Sequence, residues 1–402
     1  MQRTLTIIAI VTVLAGAGIA AYFYFFTGTA DIAVAPAGST TLPVAGQGTP
    51  VTGATSTPSL SPGTPITVSA RLVQISKGPV VPGEVVVDIK SSGTASTSAV
   101  SDVSVQYIER QSGNVYSYLT RTKTITRTSN RTVPGIQSAS WLPNASFAFV
   151  RYLSGADFST INTYTLPANG SGGFFLPQNL ADIAITATNI LTLSSGVNGS
   201  AASLARTDGS HSLEVFTTPL SSLRVSFAGK SQYLAFTKPS ATLAGDAFLV
   251  DATGHFSRVA GPHNGLIGLS SPSGKFVLVS YILNSVMQMN LVNTITRETI
   301  ALPVATIADK CVWGADDSVV YCGIPVNPSA NFSYPDDWYQ GAAHFSDRIW
   351  KIQISSRYAQ LVLDFSKENQ GPIDVEALAI NPAGTVLVFI NKNDSSLWAY
   401  SL

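Results

Sequence analysis

The sequence predicts an all-β fold of repeated four-stranded units, and two observations predict it. Beyond the N-terminal segment no long stretch keeps a helical period, while Val, Ile, Thr, Phe and Tyr recur in short runs. Five segments also share one pattern: a short apolar strand, a turn rich in Pro, Gly, Asp or Asn, then a second apolar strand. They are SASWLPNASFAFV, LRVSFAGKSQYLAF, LIGLSSPSGKFVLV, KCVWGADDSVVYC and EALAINPAGTVLVF. Their turns begin at Pro143, Ala228, Pro272, Ala315 and Pro382, giving intervals of 85, 44, 43 and 67 residues. The first interval is twice about 42, and a weaker copy, DIAITATNILTLSS, falls near residue 185. A spacing in the low forties with four strands per unit is that of a propeller blade.

Taken in order, residues 1–4 read as a cytoplasmic N-terminus and residues 5–26 as a transmembrane signal anchor. Leu5 to Phe26 carries no charge and is long enough to cross a bilayer as a helix. Arg3 precedes it, which keeps the N-terminus inside the cytoplasmic membrane and sends the remainder out. The competing reading is a cleaved signal peptide with Ala33-Val34-Ala35 as its site, but the aromatic YFYFF end suits a peptidase poorly. Residues 27–65 are Pro-, Thr-, Ser- and Gly-rich and have almost no large apolar side chain, so a disordered linker is expected. Residues 66–402 should form a single β-propeller of about seven four-stranded blades. GEVVVDI and VQYIERQSGNVYSYLTRTKTITRT supply the first blade. The last unit, EALAINPAGTVLVFINKNDSSLWAYSL, stops after three strands and leaves an open edge. RLVQIS, Arg71 to Ser76, is the strand free to close it.

The hairpins SSPSGKFVLVS and INPAGTVLVFI resemble the S-P-x-G-x-x-apolar unit of TolB-like and WD-repeat-like propellers, over roughly Pro65 to Leu402. The resemblance implies a fold and leaves function to the loops. The WD dipeptide with its partner His is absent from the sequence, as is the Asp-box of sialidase propellers.

Composition narrows the function. The chain has 23 basic and 23 acidic residues, and only 11% of its residues are charged. That excludes the basic face a nucleic-acid binder needs. No G-x-S-x-G elbow, GxGxxG or P-loop occurs, so no cofactor and no catalysis are expected. Scarce charge also counts against convergent catalytic residues on several blades. Cys311 and Cys322 are the only cysteines, and folding their hairpin at Asp316-Asp317 sets them opposite each other. A disulfide is expected there in an exported domain, with two buried thiols as the alternative. A structural zinc site is not expected.

The interval of 67 exceeds the repeat by about 24 residues, which marks an insertion between the second and third strands of the sixth unit. It carries Asp336, Asp337, Trp338, Tyr339, His344 and Asp347, the candidate ligand or partner contacts. The alternative is structural, with Pro335-Asp336-Asp337 shaping a turn and Trp338, Tyr339 and Phe345 pinning the loop. The acidic spacing matches no calcium motif, so no metal is expected. The loop should lie on the propeller face turned away from the membrane. His211, His255 and His263 read as solvated turn residues. Asn169-Gly-Ser and Asn331-Phe-Ser match glycosylation acceptors, which also arise by chance in a Ser-rich chain. The expected protein is a membrane-anchored, extracytoplasmic binding or scaffolding module. Its partners would be the lipid bilayer, through residues 5–26, and an envelope protein. A propeller enzyme acting on envelope glycan or peptide, and a purely structural envelope component, are the alternatives.

Overall fold

The computed structural model describes residues 70–90, 101–368 and 370–402. The expected anchor (5–26) and linker (27–65) therefore lie outside the described residues. Among the described residues no helix is long and apolar enough to cross a membrane. The all-β expectation holds: the strands form six antiparallel sheets. Among the described residues helix is confined to two short 3-10 turns and the four-residue α1 (Asp336–Tyr339).

One sheet holds β2 (Val85–Lys90), β3 (Ser101–Ile108), β4 (Val115–Leu119) and β5 (Thr124–Arg127). The next holds β6 (Ile136–Trp141), β7 (Phe147–Ser154) and β8 (Thr160–Pro167). The outer edge of β8 is covered by an irregular segment: Thr165 N donates to Phe174 O, and Leu176 N to Thr163 O. The third holds β9 (Leu180–Ile185), β10 (Asn189–Gly196), β11 (Gly199–Arg206) and β12 (Leu213–Thr218).

The largest sheet runs through β13 (Leu223–Ala228), β14 (Gln232–Thr237), β15 (Ala244–Val250), β16 (Phe256–Ser270), β17 (Phe276–Leu283), β18 (Val286–Asn293) and β19 (Thr299–Ala301). Its long β16 pairs with β15 up to Asn264 and with β17 from Asn264 onward. It thus ends one four-stranded meander and begins the next. β20 (Cys311–Trp313), β21 (Val319–Pro325), β22 (Asp347–Gln353) and β23 (Tyr358–Asp364) follow. The last sheet is β24 (Val375–Ile380), β25 (Val386–Asn391) and β26 (Ser396–Ser401), with β1 (Leu72–Ser76) added outside β26. All six hairpins read from the repeat are present, the weak copy as β9–β10.

The first strands of successive units touch one another: β6 with β9, β9 with β13, β20 with β24, and β24 with β2. The sheets therefore stand around a common centre, with each first strand innermost. Apolar side chains fill the spaces between sheets. Every residue of β25 is buried, because neighbouring sheets cover both of its faces, whereas all four residues of β5 are exposed at an outer edge. The last sheet meets the first described sheet in this way. Ile75, Val86, Val105, Tyr107, Val388 and Ile390 form one buried cluster, and the Asp88 carboxylate accepts hydrogen bonds from Asn381 Nδ2 and from Ala383 N (3.0 Å). Burying each large apolar side chain contributes roughly 1.5–3 kcal/mol.

Cys311 and Cys322 are directly opposed in β20 and β21 and are joined by a disulfide. The closed loop is short, so its stabilisation is near the low end of the usual range, about 2 kcal/mol.

β1 shields the hydrogen-bonding edge of β26, with Leu72 opposite Tyr400 and Gln74 opposite Trp398. Ile75, 5% exposed, anchors it. Replacing Ile75 by Asp should lower stability by about 3 kcal/mol and expose the β26 edge. Denaturant titration with light scattering checks this: association should appear in Ile75→Asp well before global unfolding.

Candidate functional site

Residues 326–346 join β21 to β22, where the repeat spacing placed an insertion. Connections between second and third strands emerge at the end of the sheets where the innermost strands begin, called here the upper end. Three aromatic side chains turn down into the fold: Tyr334, Trp338 and Phe345 are 5%, 2% and 4% exposed. The loop also reaches beyond its own sheet. Asp336 Oδ1 accepts a hydrogen bond from Ala241 N (3.1 Å) in the β14–β15 connection. Pro335 lies on Gly265 of β16, where an added Cβ would stand 2.8 Å from Pro335 Cδ. Trp338 Nε1 donates to both oxygens of Asp374, the residue before β24, at 3.1 and 3.0 Å. The loop therefore covers the upper mouth across four successive units.

What holds it down is a buried ionic cluster. Lys310, the residue before β20, has a fully buried side chain. Its Nζ pairs with Asp347 Oδ2 at 2.8 Å and with Asp374 Oδ1. The ammonium also lies 4.9 Å from the Trp338 ring centre and 4.8 Å from that of Phe345, a geometry of cation–π attraction. Asp374 accepts further from Phe345 N (3.0 Å), so its charge is well satisfied. Asp347 accepts from Val375 N (2.6 Å) through Oδ2, but its Oδ1 has no partner among the described residues. Burial, opposed by Lys310 and reinforced by Asp374, pushes its carboxyl up to about 6. One lysine faces two carboxylates, and Asp347, with one oxygen unpartnered, is the less satisfied of the two.

A second contact sits one residue along on each side. Asp309 precedes Lys310, and Tyr339 follows Trp338. Tyr339 OH donates to Asp309 Oδ2 (2.6 Å), and Arg224 of β13 grips the same carboxylate at 2.6 and 3.2 Å. Burial of the hydroxyl, together with the Asp309 charge, pushes Tyr339 well above the usual phenol range, so it remains a donor. The residue is 39% exposed while its hydroxyl is held by Asp309. Nearby, Asp182 of β9 accepts from Val225 N (2.8 Å), and burial raises its carboxyl. Arg151 of β7 donates to the carbonyls of Leu180 and Ala181. Charged groups from several sheets thus converge on the mouth.

Glu84, the residue before β2, completes the mouth. Neither carboxyl oxygen has a hydrogen-bond partner among the described residues. Burial, with Glu376 adding to it, pushes its carboxyl up to about 8. Glu376 in turn pairs with Lys392 at 2.9 Å, and the Lys392 ammonium lies 4.6 Å from the Trp338 ring centre.

The structure divides the candidate residues. Asp347 is in the buried cluster. Trp338 is buried against it and offers no surface to a partner, so of the aromatic pair only Tyr339 reaches the exterior. Asp337 shapes the loop locally, its Oδ2 accepting from Ser333 N (2.7 Å). Asp336 ties the loop to the β14–β15 connection, and His344 is exposed. Among the other histidines, His263 is half-buried and stacked on Tyr281 with ring centres 4.1 Å apart; it is not a solvated turn residue. Among the described residues no group of three or more acidic, His or Cys side chains is placed to hold a metal. Sequence reasoning missed Lys310, Asp374, Glu84, Asp309 and Arg224. A signal existed: Glu84, Lys310 and Asp374 all occupy the position just before an innermost strand.

No protein-family model and no curated protein matches the chain. Solved structures do. The virginiamycin B lyase from Staphylococcus aureus overlays with a TM-score of 0.51 at 10% identity, over 82% of this chain and 99% of that one. A streptogramin B lyase overlays at 0.50 with 13% identity, over 82% and 96%. The β-propeller domain of the Trilobed protease from Pyrococcus furiosus matches more loosely, at 0.47 and 7% identity, over 79% and 93%. The shared fold is the β-propeller. Two expectations change with this. Resemblance to propellers stands, without a narrower assignment to TolB-like or WD-repeat-like members. The expectation that the chain is not an enzyme is overturned: lyases are among the proteins with this fold, and charges do gather at the mouth.

The raised Glu84 carboxyl makes stability depend on pH. The folded state holds this proton more tightly than the unfolded chain, so the contribution is complete below the ordinary 4.5 and is lost as pH rises through about 8. Asp347 acts in the same direction but below about 6. Between pH 6 and 8 unfolding free energy should therefore fall with a slope approaching about 1.4 kcal/mol per pH unit, and Glu84→Gln should flatten it. Denaturant titrations across that window check this, and equal slopes in the two proteins would refute it.

Proposed function

We propose that the protein is a cell-envelope β-propeller of seven blades, closed by β1, that binds a protein partner through its upper face. The observation that carries this reading is where apolar side chains are exposed. Of fifteen exposed large apolar residues among the described residues, ten lie at the upper end. The connections between second and third strands present them in five successive units: Phe158, Val197, Leu243, the pair Leu283 and Val286, and Phe332. Scattered single residues of this kind are ordinary. Recurrence at one topological position around one rim is not scatter, and it surrounds the polar centre of Tyr339, Arg224 and Asp309. Tyr339 and Arg224 are residue types that anchor protein interfaces, and the exposed apolar tips around them are surface for a partner to bury. The uncharged Leu5–Phe26 segment supports a membrane anchor with the propeller outside the cytoplasmic membrane.

The convergent charges at the mouth favour one second reading, an enzyme acting there on envelope glycan or peptide. Affinity capture from envelope extract separates the two. Phe158→Glu, Val197→Glu and Leu243→Glu together should abolish capture of a discrete protein at unchanged melting temperature. Ile295→Glu and Tyr358→Glu, at the lower end, should leave it intact. Undiminished capture by the upper-face variant would overturn the binding reading. Release of soluble fragments from retained polysaccharide, lost in Asp309→Asn, would establish the second.

A further inference from the structure

Six Asn-x-Ser/Thr tripeptides lie in the described residues, at Asn130, Asn144, Asn169, Asn198, Asn331 and Asn393. All six asparagines are exposed, against three of the other eleven described asparagines, Asn179, Asn284 and Asn327. Two of the six have a distinctive local geometry. Asn144 Oδ1 accepts from Ser146 N (3.0 Å) and Ser146 Oγ (2.8 Å). Asn169 Oδ1 accepts from Ser171 N (3.0 Å) and Ser171 Oγ (2.9 Å). In both, the amide oxygen is occupied by the acceptor serine itself. The amide Nδ2 has no partner among the described residues. Hydrogen bonds to the oxygen draw density from the amide and make its N–H more acidic, which favours reaction at nitrogen. Asn393 is the contrast, because its Nδ2 donates to Pro372 O (3.0 Å).

The two sites are neighbours. Asn144 lies in the β6–β7 turn and Asn169 just beyond β8, at the lower end of one sheet. Ala168 N donates to Ser146 O (2.9 Å), which links the two turns directly. We propose that Asn144 and Asn169 are N-glycosylated, side by side on the face opposite the proposed docking surface. Nδ2 bonds to the anomeric carbon of an oligosaccharide supplied by a lipid-pyrophosphate-linked donor. The bond from that carbon to the phosphate oxygen breaks, and its electron pair leaves with the lipid pyrophosphate. The Nδ2 proton passes to a base of the transferase. The proposal rests on the exported location, and it places bulky, solvating groups where they leave the upper face clear.

Peptide mass spectrometry of the full chain purified from its own cells tests it. The peptides containing Asn144 and Asn169 should carry glycan mass. Ser146→Ala should remove the first and Ser171→Ala the second, with Asn393 unmodified throughout. Unmodified Asn144 and Asn169 would overturn the proposal, and the same digest says why. A bridged Cys311–Cys322 pair without glycan means that the acceptor assignment fails in an exported protein. Free thiols without glycan mean that export itself fails.

Discussion

Lys310, enclosed between Asp347 and Asp374 beneath two aromatic rings, is the interaction on which the upper half of the molecule depends. A fully buried ammonium is costly to desolvate, and its carboxylate partners offset that cost only with good geometry and further hydrogen bonds. The structure supplies them from four parts of the chain: the residue before β20, the first residue of β22, the residue before β24, and the inserted loop. Removing one partner of such a cluster costs about 3–5 kcal/mol, because a charge is then left buried without compensation. The gain is one definite position for the loop. An apolar plug would bury as much surface without setting the angle at which α1 crosses the mouth.

That position decides which side chains reach the surface. The consecutive pair Asp309-Lys310 engages the consecutive pair Trp338-Tyr339. Lys310 takes Trp338 inward, while Asp309 and Arg224 take the Tyr339 hydroxyl and leave its ring at the surface. Structural and surface roles are thus divided between neighbouring residues. The apolar tips share one end of the sheets because, in a four-stranded meander, every connection between second and third strands emerges at that end.

Much of this architecture was legible in the sequence because hairpin turns and strand periodicity are local. The turn residues at Pro143, Pro272 and Pro382 and the alternation on either side fix hairpins wherever they occur, and their spacing implies sheets of one kind around one centre. The insertion was visible as a break in that spacing. Lys310 and Asp374 were not, because their partners are 28 to 64 residues away and one such lysine has no local signature. They are visible only when the repeats are aligned and the position before each innermost strand is compared. The two-partner role of β16 was equally hidden, because a single strand shared by consecutive units has the same periodicity as two separate ones. Trp338 read either as a partner contact or as a pin for the loop; its burial against Asp374, which the local sequence does not show, makes it the pin.

Hydrogen exchange of the backbone amides in the wild type and in Asp374→Ala tests the ionic clamp most directly. The substitution removes the acceptor shared by Lys310, Trp338 and Phe345 and leaves the sheets themselves intact. Amides from Tyr334 to Phe345 should lose protection by roughly a hundredfold, the equivalent of about 3 kcal/mol, while β21, β24 and β25 keep theirs. Unchanged protection in the loop, or equal loss throughout the neighbouring sheets, would contradict a clamp that positions the loop independently of the propeller beneath it.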